Sequence, residues 1–434
     1  MTASDHSLRS TARRAAITAL GERLLLIVLF LAILGSPFVF MEPSPYEALM
    51  GVLALTCLLA GVTVPRAILP LVFMLLVWNC AGAMSLLNAT EDTKAITFIA
   101  ISFYLAITAI LFACLFAHNS VQRLSVMRRA YILAAFIAAS IGIAAYFGVI
   151  PGAETFTMGG RAKSTFKDPN VYGPFLILPL LFLVETILVR GLRLRHLIAA
   201  LVIMFGLFLS FSRGAWMHTV VSAAVTVALL FVTTPSTRLR GRIVLLTIVA
   251  VVAVAAMLAI ALSFDSIGGL FKERANLVNY YDAGESGRFG NQIRSLTLLL
   301  EMPNGFGPLQ FGQVYFPQDP HNVYLNAFAS YGWLGGIAYV LMVLATLMVG
   351  LRAALVATPW QAFLIPIYGT FVGEVLEGFI VDTDHWRHFF LLLGAIWGLA
   401  AATERAKARA RHRRAGLSPS TIRASGLPAS TVAG

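Results

Sequence analysis

The sequence predicts an all-α polytopic integral membrane protein with about 12 transmembrane helices. Of its 434 residues, 59% are hydrophobic and only 12% are charged, with a mean hydropathy of +0.82. A soluble chain of this size could not cover so much apolar surface. Apolar runs of about 20 residues recur, each long enough to cross roughly 30 Å of hydrocarbon. The loops between these runs also alternate in their content of Lys and Arg.

Twelve apolar runs are predicted to cross the membrane. They cover residues 23–41, 46–62, 67–87, 95–117, 130–150, 171–189, 197–211, 214–232, 243–263, 321–349, 360–380 and 386–403. Spans one to nine therefore occupy residues 23–263 and spans ten to twelve residues 321–403. Residues 1–22 and 404–434 form basic termini, and residues 264–320 form a large loop between spans nine and ten.

The distribution of basic residues predicts the orientation. If both termini are cytoplasmic, 22 of the 32 Lys and Arg residues fall inside, as the positive-inside rule requires. The net charge of +12 follows from this topology, and it indicates contact with anionic membrane lipids and no nucleic-acid partner. Cys57, Cys80 and Cys114 lie within spans, so no disulfide framework is expected.

Three outer segments are candidates for a functional site. They are the basic loop 151–170, the turn Ser212–Gly214 and the long loop 264–320. In the long loop, a helix from about Gly287 to Pro303 has an apolar stripe at helical spacing. We expect this helix to lie on the membrane surface.

Five cations of the outer segments predict a site for a lipid-linked diphosphate. A guanidinium in a turn as short as that of Arg213 is costly beside a bilayer without an anionic partner. Planar guanidinium donors match two phosphate oxygens. The alternatives are that Arg213 is a snorkelling anchor, that Arg288 lies on a solvated helix face, and that the others meet anionic lipid. The five cations are Arg161, Lys163, Lys167, Arg213 and Arg288.

His321 is the candidate general base, because it stands where an apolar span begins after the long polar loop. Imidazole accepts protons near neutral pH, and a sugar hydroxyl that attacks an anomeric carbon must lose its proton. Fixed arginines can stabilise the departing diphosphate. The scheme requires no metal and no other cofactor. A residue that merely begins a helix at headgroup depth is the alternative for His321.

Two intramembrane carboxylates, Glu374 and Glu377, are three residues apart and share a helix face. Such carboxylates are functional candidates by default, although a polar contact between helices also accounts for them. The nearby loop resembles a metal-ligand set, but crowding within so short a loop argues against a metal site. Its four residues are Asp382, Asp384, His385 and His388.

Together these motifs resemble the O-antigen ligase and O-antigen polymerase superfamily in order and placement. The resemblance covers roughly residues 150–400. It rests on Phe166–Asn170, Ser210–Ala215, Gly287–Arg288, Pro303–Gly307, and His321–Asn322 followed by Gly332 and Leu334–Gly336. The sequence departs from the family pattern at Ser330, where an acidic residue is common, and at Ile293–Arg294, where an aromatic residue is common.

The resemblance implies a metal-independent, inverting glycosyltransferase of the bacterial inner membrane. Its donor would be an undecaprenyl-diphosphate-linked glycan, used on the periplasmic side. By position, His321 would be the base, and Arg213 and Arg288 would bind the diphosphate. The candidates for further substrate contacts are Arg161, Lys163, Lys167, Asn322, Glu374 and Glu377.

The acceptor stays open at this point. A ligase would transfer to the lipid A core, whereas a polymerase would extend an O-antigen or exopolysaccharide, with polysaccharide assembly proteins as candidate partners. The rival class is a flippase of lipid-linked saccharides, which also needs a cationic cavity. Transporters often show paired halves with matching broken helices, and the sequence has no such symmetry.

Overall fold

The structure is a computed structural model of the chain. It describes residues 3–40, 44–89, 92–264, 268–271, 287–311 and 321–414, and of residues 3–18, 412 and 414 only the backbone. Most of the long outer loop predicted for residues 264–320 lies outside the described residues.

Helices account for most of the described residues, and the strands among them are two residues long, so the predicted all-α class is confirmed. In chain order they are α1 (Ala3–Gly35), α2 (Pro45–Leu59), α3 (Leu69–Ser85), α4 (Thr93–Ala117), α5 (Ser120–Tyr146), α6 (Pro169–Phe175), α7 (Ile177–Arg190), α8 (Leu194–Leu209), α9 (Arg213–Thr233), α10 (Thr237–Leu262), α11 (Arg288–Glu301), α12 (Val323–Ala354), α13 (Gln361–Glu377) and α14 (Arg387–Arg414).

Each predicted span coincides with one of these helices, the sixth with the pair α6 and α7. Eight segments of the described chain are long and apolar enough to cross a membrane, and α2 and α8 are shorter apolar helices. The polytopic membrane class is therefore confirmed. Helix α5 begins at Ser120, earlier than the predicted residue 130, because a basic first turn precedes its apolar part.

The sixth span is broken where its prolines predict irregularity. Helix α6 contains Pro174 and ends at Phe175, and α7 begins after Leu176 with Pro179 in its first turn. A proline ring removes one backbone donor and clashes with the carbonyl four residues earlier. This span is the most enclosed of the eight candidate membrane spans, so the break lies inside the bundle.

Helices α9 and α13 approach closely through glycines. A Cβ at Gly369 would lie 2.8 Å from the backbone oxygen of Ser222, and a Cβ at Gly373 would lie 2.8 Å from that of His218. Small residues allow such contacts between helices in a membrane, where no hydrophobic force drives association. The consequence is that polar side chains of α9 meet the carboxylates of α13.

Helix α12 is kinked at Gly332, and the turn Pro303–Gly307, which is distant in the sequence, packs against the kink. Gly332 has φ 68° and ψ −177°, and a Cβ there would lie 2.9 Å from the carbonyl oxygen of Pro303. The Trp333 amide donates to that same oxygen over 2.8 Å, and the Phe306 amide donates to Ala329 over 2.8 Å. Two of the sequence motifs, Pro303–Gly307 and the glycine after His321–Asn322, thus form one contact.

Helix α11 is joined to this contact at its end. Leu299 is buried beside Phe306 and Ala329, and its carbonyl oxygen accepts from the Trp333 indole over 2.7 Å. Leu298 is partly buried, whereas the apolar side chains of Phe289, Ile293, Leu296 and Leu300 are exposed. A surface of this kind suits a helix that faces hydrocarbon.

We predict that Gly332→Ala destabilises the fold by about 3 kcal/mol, because this backbone region is nearly restricted to glycine and the added methyl meets Pro303. Thermal unfolding in detergent measures the effect. Gly241→Ala is the matched control, because its Cβ would meet nothing within 4 Å on α10. Equal melting temperatures for the two variants would contradict the contact.

Candidate active site

Two of the helices that begin near predicted site residues meet just beyond the end of α13. The Val323 amide, at the start of α12, donates to the Gly378 carbonyl over 2.9 Å. One residue further, the Phe379 carbonyl accepts from the side-chain amide of Gln292 over 3.3 Å. Gln292 lies one turn after Arg288 on α11. The end of α13 therefore holds the beginnings of α11 and α12 side by side.

The third segment reaches the same place through the start of α9. A Cβ at Gly214 would lie 2.6 Å from Oε1 of Glu377, so the α9 backbone packs directly against this carboxyl. Arg213 is the first residue of α9 and precedes Gly214. The segment 377–382, which we call the α13 end segment, thus contacts residues near the beginnings of α9, α11 and α12. This arrangement places the beginnings of α9, α11 and α12 around one segment.

His321 stands immediately before α12 in a strained conformation. Its φ is 47°, which is uncommon for a residue other than glycine. Its side chain is 39% exposed, and Nδ1 lies 3.6 Å from Oδ2 of Asp382 in the α13 end segment. A carboxylate beside one ring nitrogen of an exposed imidazole can fix the tautomer and the orientation of the ring.

Asn322 has a structural task in this turn. Its Oδ1 accepts from the backbone amides of Tyr324 and Leu325, over 3.0 and 3.3 Å, and so caps α12. The Tyr324 hydroxyl donates to the Val375 carbonyl over 2.6 Å. These bonds orient the start of α12 and with it His321. The predicted substrate contact of Asn322 stays a prediction.

The two predicted diphosphate ligands occupy equivalent places on their helices. Arg213 is the first residue of α9, capped by Ser212, and Arg288 is the first residue of α11. Both side chains are half-buried. A helix N-terminus carries a partial positive charge and unsatisfied N–H groups, which attract anions. Because α12 begins nearby, the first turns of three helices contact the α13 end segment, and two of these helices begin with an arginine.

The basic outer loop joins the site through one of its three cations. Arg161 donates from Nε to the Ser210 carbonyl and from Nη2 to Oδ1 of Asn170, each over 2.8 Å. It begins the second strand of a short hairpin, in which β1 (Thr157–Met158) pairs with β2 (Arg161–Ala162). The hairpin thus sets Arg161 beside the turn that leads to Arg213.

The other two cations of this loop, Lys163 and Lys167, differ in their exposure and surroundings. Lys163 is half-buried, whereas Lys167 is exposed and lines a cavity of about 180 Å³. Aromatic and polar side chains from α2, α5, the basic loop and the beginning of α14 line this cavity. They include Tyr46, Tyr131, Phe166, Trp386, Arg387 and His388.

Glu377 pairs with a histidine that sequence reasoning missed. Its Oε2 lies 2.7 Å from Nδ1 of His218, and the other ring nitrogen lies 2.9 Å from the Thr370 carbonyl. A carbonyl only accepts, so the proton on Nε2 points to Thr370, and one further proton is shared between Nδ1 and the carboxyl. Both arrangements leave the buried pair with no net charge. The signal in the sequence was a lone histidine within an otherwise apolar span.

Glu374 has a different imidazole partner. It is fully buried, and its Oε1 lies 3.3 Å from Nε2 of His388 on α14. His388 also lines the cavity that Lys167 reaches. The two carboxylates of α13 therefore point to different helices, Glu377 to α9 and Glu374 to α14. Their predicted contact with substrate stays a prediction.

The residues that resemble a metal-ligand set point in different directions. Asp382 faces His321, and Asp384 lies 3.1 Å from His385, whose other nitrogen meets the Phe98 carbonyl. Burial lowers the pKa of His385, but the neighbouring carboxylates outweigh it, so its pKa is raised. Within the part of the chain that the structure describes, no three such side chains could hold one metal ion.

Comparison with known proteins concerns the same part of the chain. No curated protein matches the chain. The family model of O-Antigen ligase matches residues 198–340, about a third of the chain. The match begins within α8 and ends within α12, so it contains Arg213, Arg288 and His321. It confirms the resemblance that the motifs predicted, in that residues 198–340 are similar to the O-Antigen ligase family model.

Proposed function

We propose that the protein is a membrane glycosyltransferase that moves a saccharide from undecaprenyl diphosphate to a hydroxyl group of a second glycan, on the periplasmic face of a bacterial inner membrane. The observation that carries the proposal is the convergence of Arg213, Arg288 and His321, each at or just before a helix N-terminus, around the α13 end segment. The match to O-Antigen ligase over the same residues supports it.

In the proposed reaction, the acceptor hydroxyl attacks the anomeric carbon while the bond from that carbon to the diphosphate oxygen breaks. Asp382 would hold the proton on Nδ1 of His321, and Nε2 would then take the hydroxyl proton. The bonding electrons leave with undecaprenyl diphosphate. Because the acceptor attacks opposite the leaving group, the reaction inverts the anomeric centre.

The diphosphate gains negative charge as it leaves. We assign its stabilisation to Arg213, Arg288 and the N-termini of α9 and α11 rather than to a metal ion. The neutral pair of Glu377 and His218 lies against Gly214, the residue that follows Arg213. An unpaired carboxylate there would repel the diphosphate, so the shared proton keeps the site suitable for an anion.

The cavity beside the site has the chemistry of an acceptor pocket. Aromatic faces pack against the C–H groups of a sugar ring, and the charged side chains at its rim can bond to hydroxyl groups. Its volume of about 180 Å³ suits a single sugar unit better than an oligosaccharide. Nη1 of Arg387 is buried at this wall with no hydrogen-bond partner among the described residues, so it can take one.

We expect His321→Ala to reduce transfer by about 10²- to 10⁴-fold at normal protein level, because the general base is lost. The rate of transfer is measured in membrane vesicles supplied with lipid-diphosphate glycan and each class of acceptor. In the same assay, transfer to the lipid A core would indicate a ligase, and transfer to a second glycan chain would indicate a polymerase. His196→Ala is the control, since His196 lies at the start of α8, away from the site. Wild-type transfer by His321→Ala would refute the assignment, and flipping of labelled lipid without product would favour the transporter.

Gly214→Ala tests whether the packing of α9 against Glu377 positions Arg213. The added methyl would meet Oε1 at 2.6 Å and must displace the carboxyl or the helix. We expect transfer to fall by about 10²-fold, since misplacement by 1 Å can cost that much. Gly241→Ala should transfer like the wild type. If Gly214→Ala also transferred normally, the end of α13 would not position this arginine.

Trp386→Leu should raise the KM for the acceptor about tenfold and leave the KM for the donor unchanged, because it removes an aromatic wall of the cavity. The rate is measured against the concentration of a tagged glycan acceptor, at saturating donor. Phe73→Leu, on a lipid-facing side of α3, is the control. An unchanged acceptor KM, or an equal rise in both constants, would exclude the cavity as the acceptor pocket.

A further inference from the structure

A second cavity, of about 640 Å³, lies at the opposite end of the bundle from the candidate active site. It is formed by the start of α5, the connection before α13 and the last turns of α14. Three of the side chains that line it are arginines, and none of the described residues that line it is acidic. A cavity of this size falls within the range of ligand sites in proteins.

The three arginines share one face of α14. Arg405, Arg409 and Arg413 follow one another at intervals of four residues, so their side chains project to the same side. Like charges at this spacing destabilise a helix unless an anion lies between them. The same helix also carries Lys407 and Arg411, cations of its last turns that do not line the cavity. The cavity is therefore lined by the face of α14 that carries these three arginines.

Arg405 is held in place by the end of α4. Its Nη2 donates to the Ala117 carbonyl, and its Nη1 lies 3.3 Å from Nε2 of His118. Burial, together with Arg405 and Arg123, lowers the pKa of His118 to about 4. At neutral pH the imidazole is therefore uncharged and accepts a hydrogen bond from the guanidinium. The positive charge of the cavity then comes from the arginines.

The start of α5 adds to this charge. Ser120, Val121 and Gln122 line the cavity, and no side chain caps the helix at Asn119. The Ser120 hydroxyl donates backward to the Phe116 carbonyl instead. A 27-residue helix whose first N–H groups have no intrahelical acceptor presents a partial positive charge to the space before it. Donors from two helices therefore converge on one place.

We propose that this cavity binds the phosphate headgroup of an anionic phospholipid, in the leaflet opposite the candidate active site. Guanidinium groups and helix N-termini are both phosphate-binding elements. Small apolar side chains, Ala402, Ala406 and Ala410, line the cavity next to the arginines, and Trp360 completes the wall. This combination of an interfacial tryptophan, basic groups and an apolar wall suits a lipid rather than a free anion. The proposal does not depend on the proposed transfer reaction.

The test compares two double variants that remove the same charge. Arg409→Gln with Arg413→Gln changes the cavity, and Lys407→Gln with Arg411→Gln changes the same helix outside it. Binding of phosphatidylglycerol to the full-length protein in detergent is followed by the rise in melting temperature and by native mass spectrometry, with phosphatidylcholine as the neutral lipid. We expect affinity for phosphatidylglycerol to fall at least tenfold in the first variant and less than twofold in the second.

Two further measurements complete the test. Ala406→Leu fills the cavity without changing its charge and should weaken the binding of phosphatidylglycerol. A loss of binding in this variant as well would show that the loss in the arginine variant does not come from a folding defect. Equal losses in both double variants would show a diffuse surface attraction and overturn the proposal. If inorganic phosphate or pyrophosphate stabilised the protein as strongly as phosphatidylglycerol, the cavity would be a site for a soluble anion, and the lipid assignment would fail.

Discussion

The close approach of α9 to α13 is the constraint on which the candidate active site depends. Gly369 and Gly373 remove the side chains that would separate the helices, and Gly214 continues the contact at their shared end. Without this approach, Glu377 would lie buried with no basic partner, which is costly in a low-dielectric interior. With it, His218 and Glu377 share a proton and cost little. The backbone carbonyl groups that follow Glu377 in the α13 end segment then bind the beginnings of α11 and α12.

The backbone of that segment, rather than its side chains, brings the other helices together. Gly378 and Phe379 follow the last turn of α13, where carbonyl groups have no intrahelical donor. They accept instead from Val323 and Gln292. The end of one helix is thus satisfied by the beginnings of two others. A site made in this way collects positive helix ends, which favours an anionic ligand.

Much of the fold could be predicted because span length and charge asymmetry are local properties of a sequence. The twelve apolar runs each became helix, and the prolines of the sixth marked its break. The convergence of the site segments could be anticipated only from motif order. The contact of Pro303 with Gly332 was beyond prediction, because it depends on a kink that only the folded chain forms.

The sequence identified some residues of the site but not their partners, because a partner distant in the chain is fixed only by the folded structure. Arg213, Arg288 and His321 stood out as charged or titratable groups beside apolar runs, and their helices do begin around one segment. His218 was missed, since a single histidine within a span gives no indication of its partner 159 residues away. Asp382 was considered only as a metal ligand, yet it faces His321. The three cations of the basic loop were treated alike, although the hairpin sends Arg161 to one place and Lys167 leads to another.

Helix α14 links the two ends of the molecule, and its register determines both. Near its start His388 meets Glu374, and near its end Arg405 bonds to the last carbonyl of α4. Between them, a Cβ at Gly398 would lie 2.5 Å from the Ala113 carbonyl, so α14 and α4 fit together at one register. A slip of one residue moves a helix by about 1.5 Å along its axis and turns every side chain by roughly 100°. Such a slip would break the Glu374 contact and the Arg405 contact together. The glycine contact in the middle therefore holds a candidate acceptor wall at one end and a basic cavity at the other.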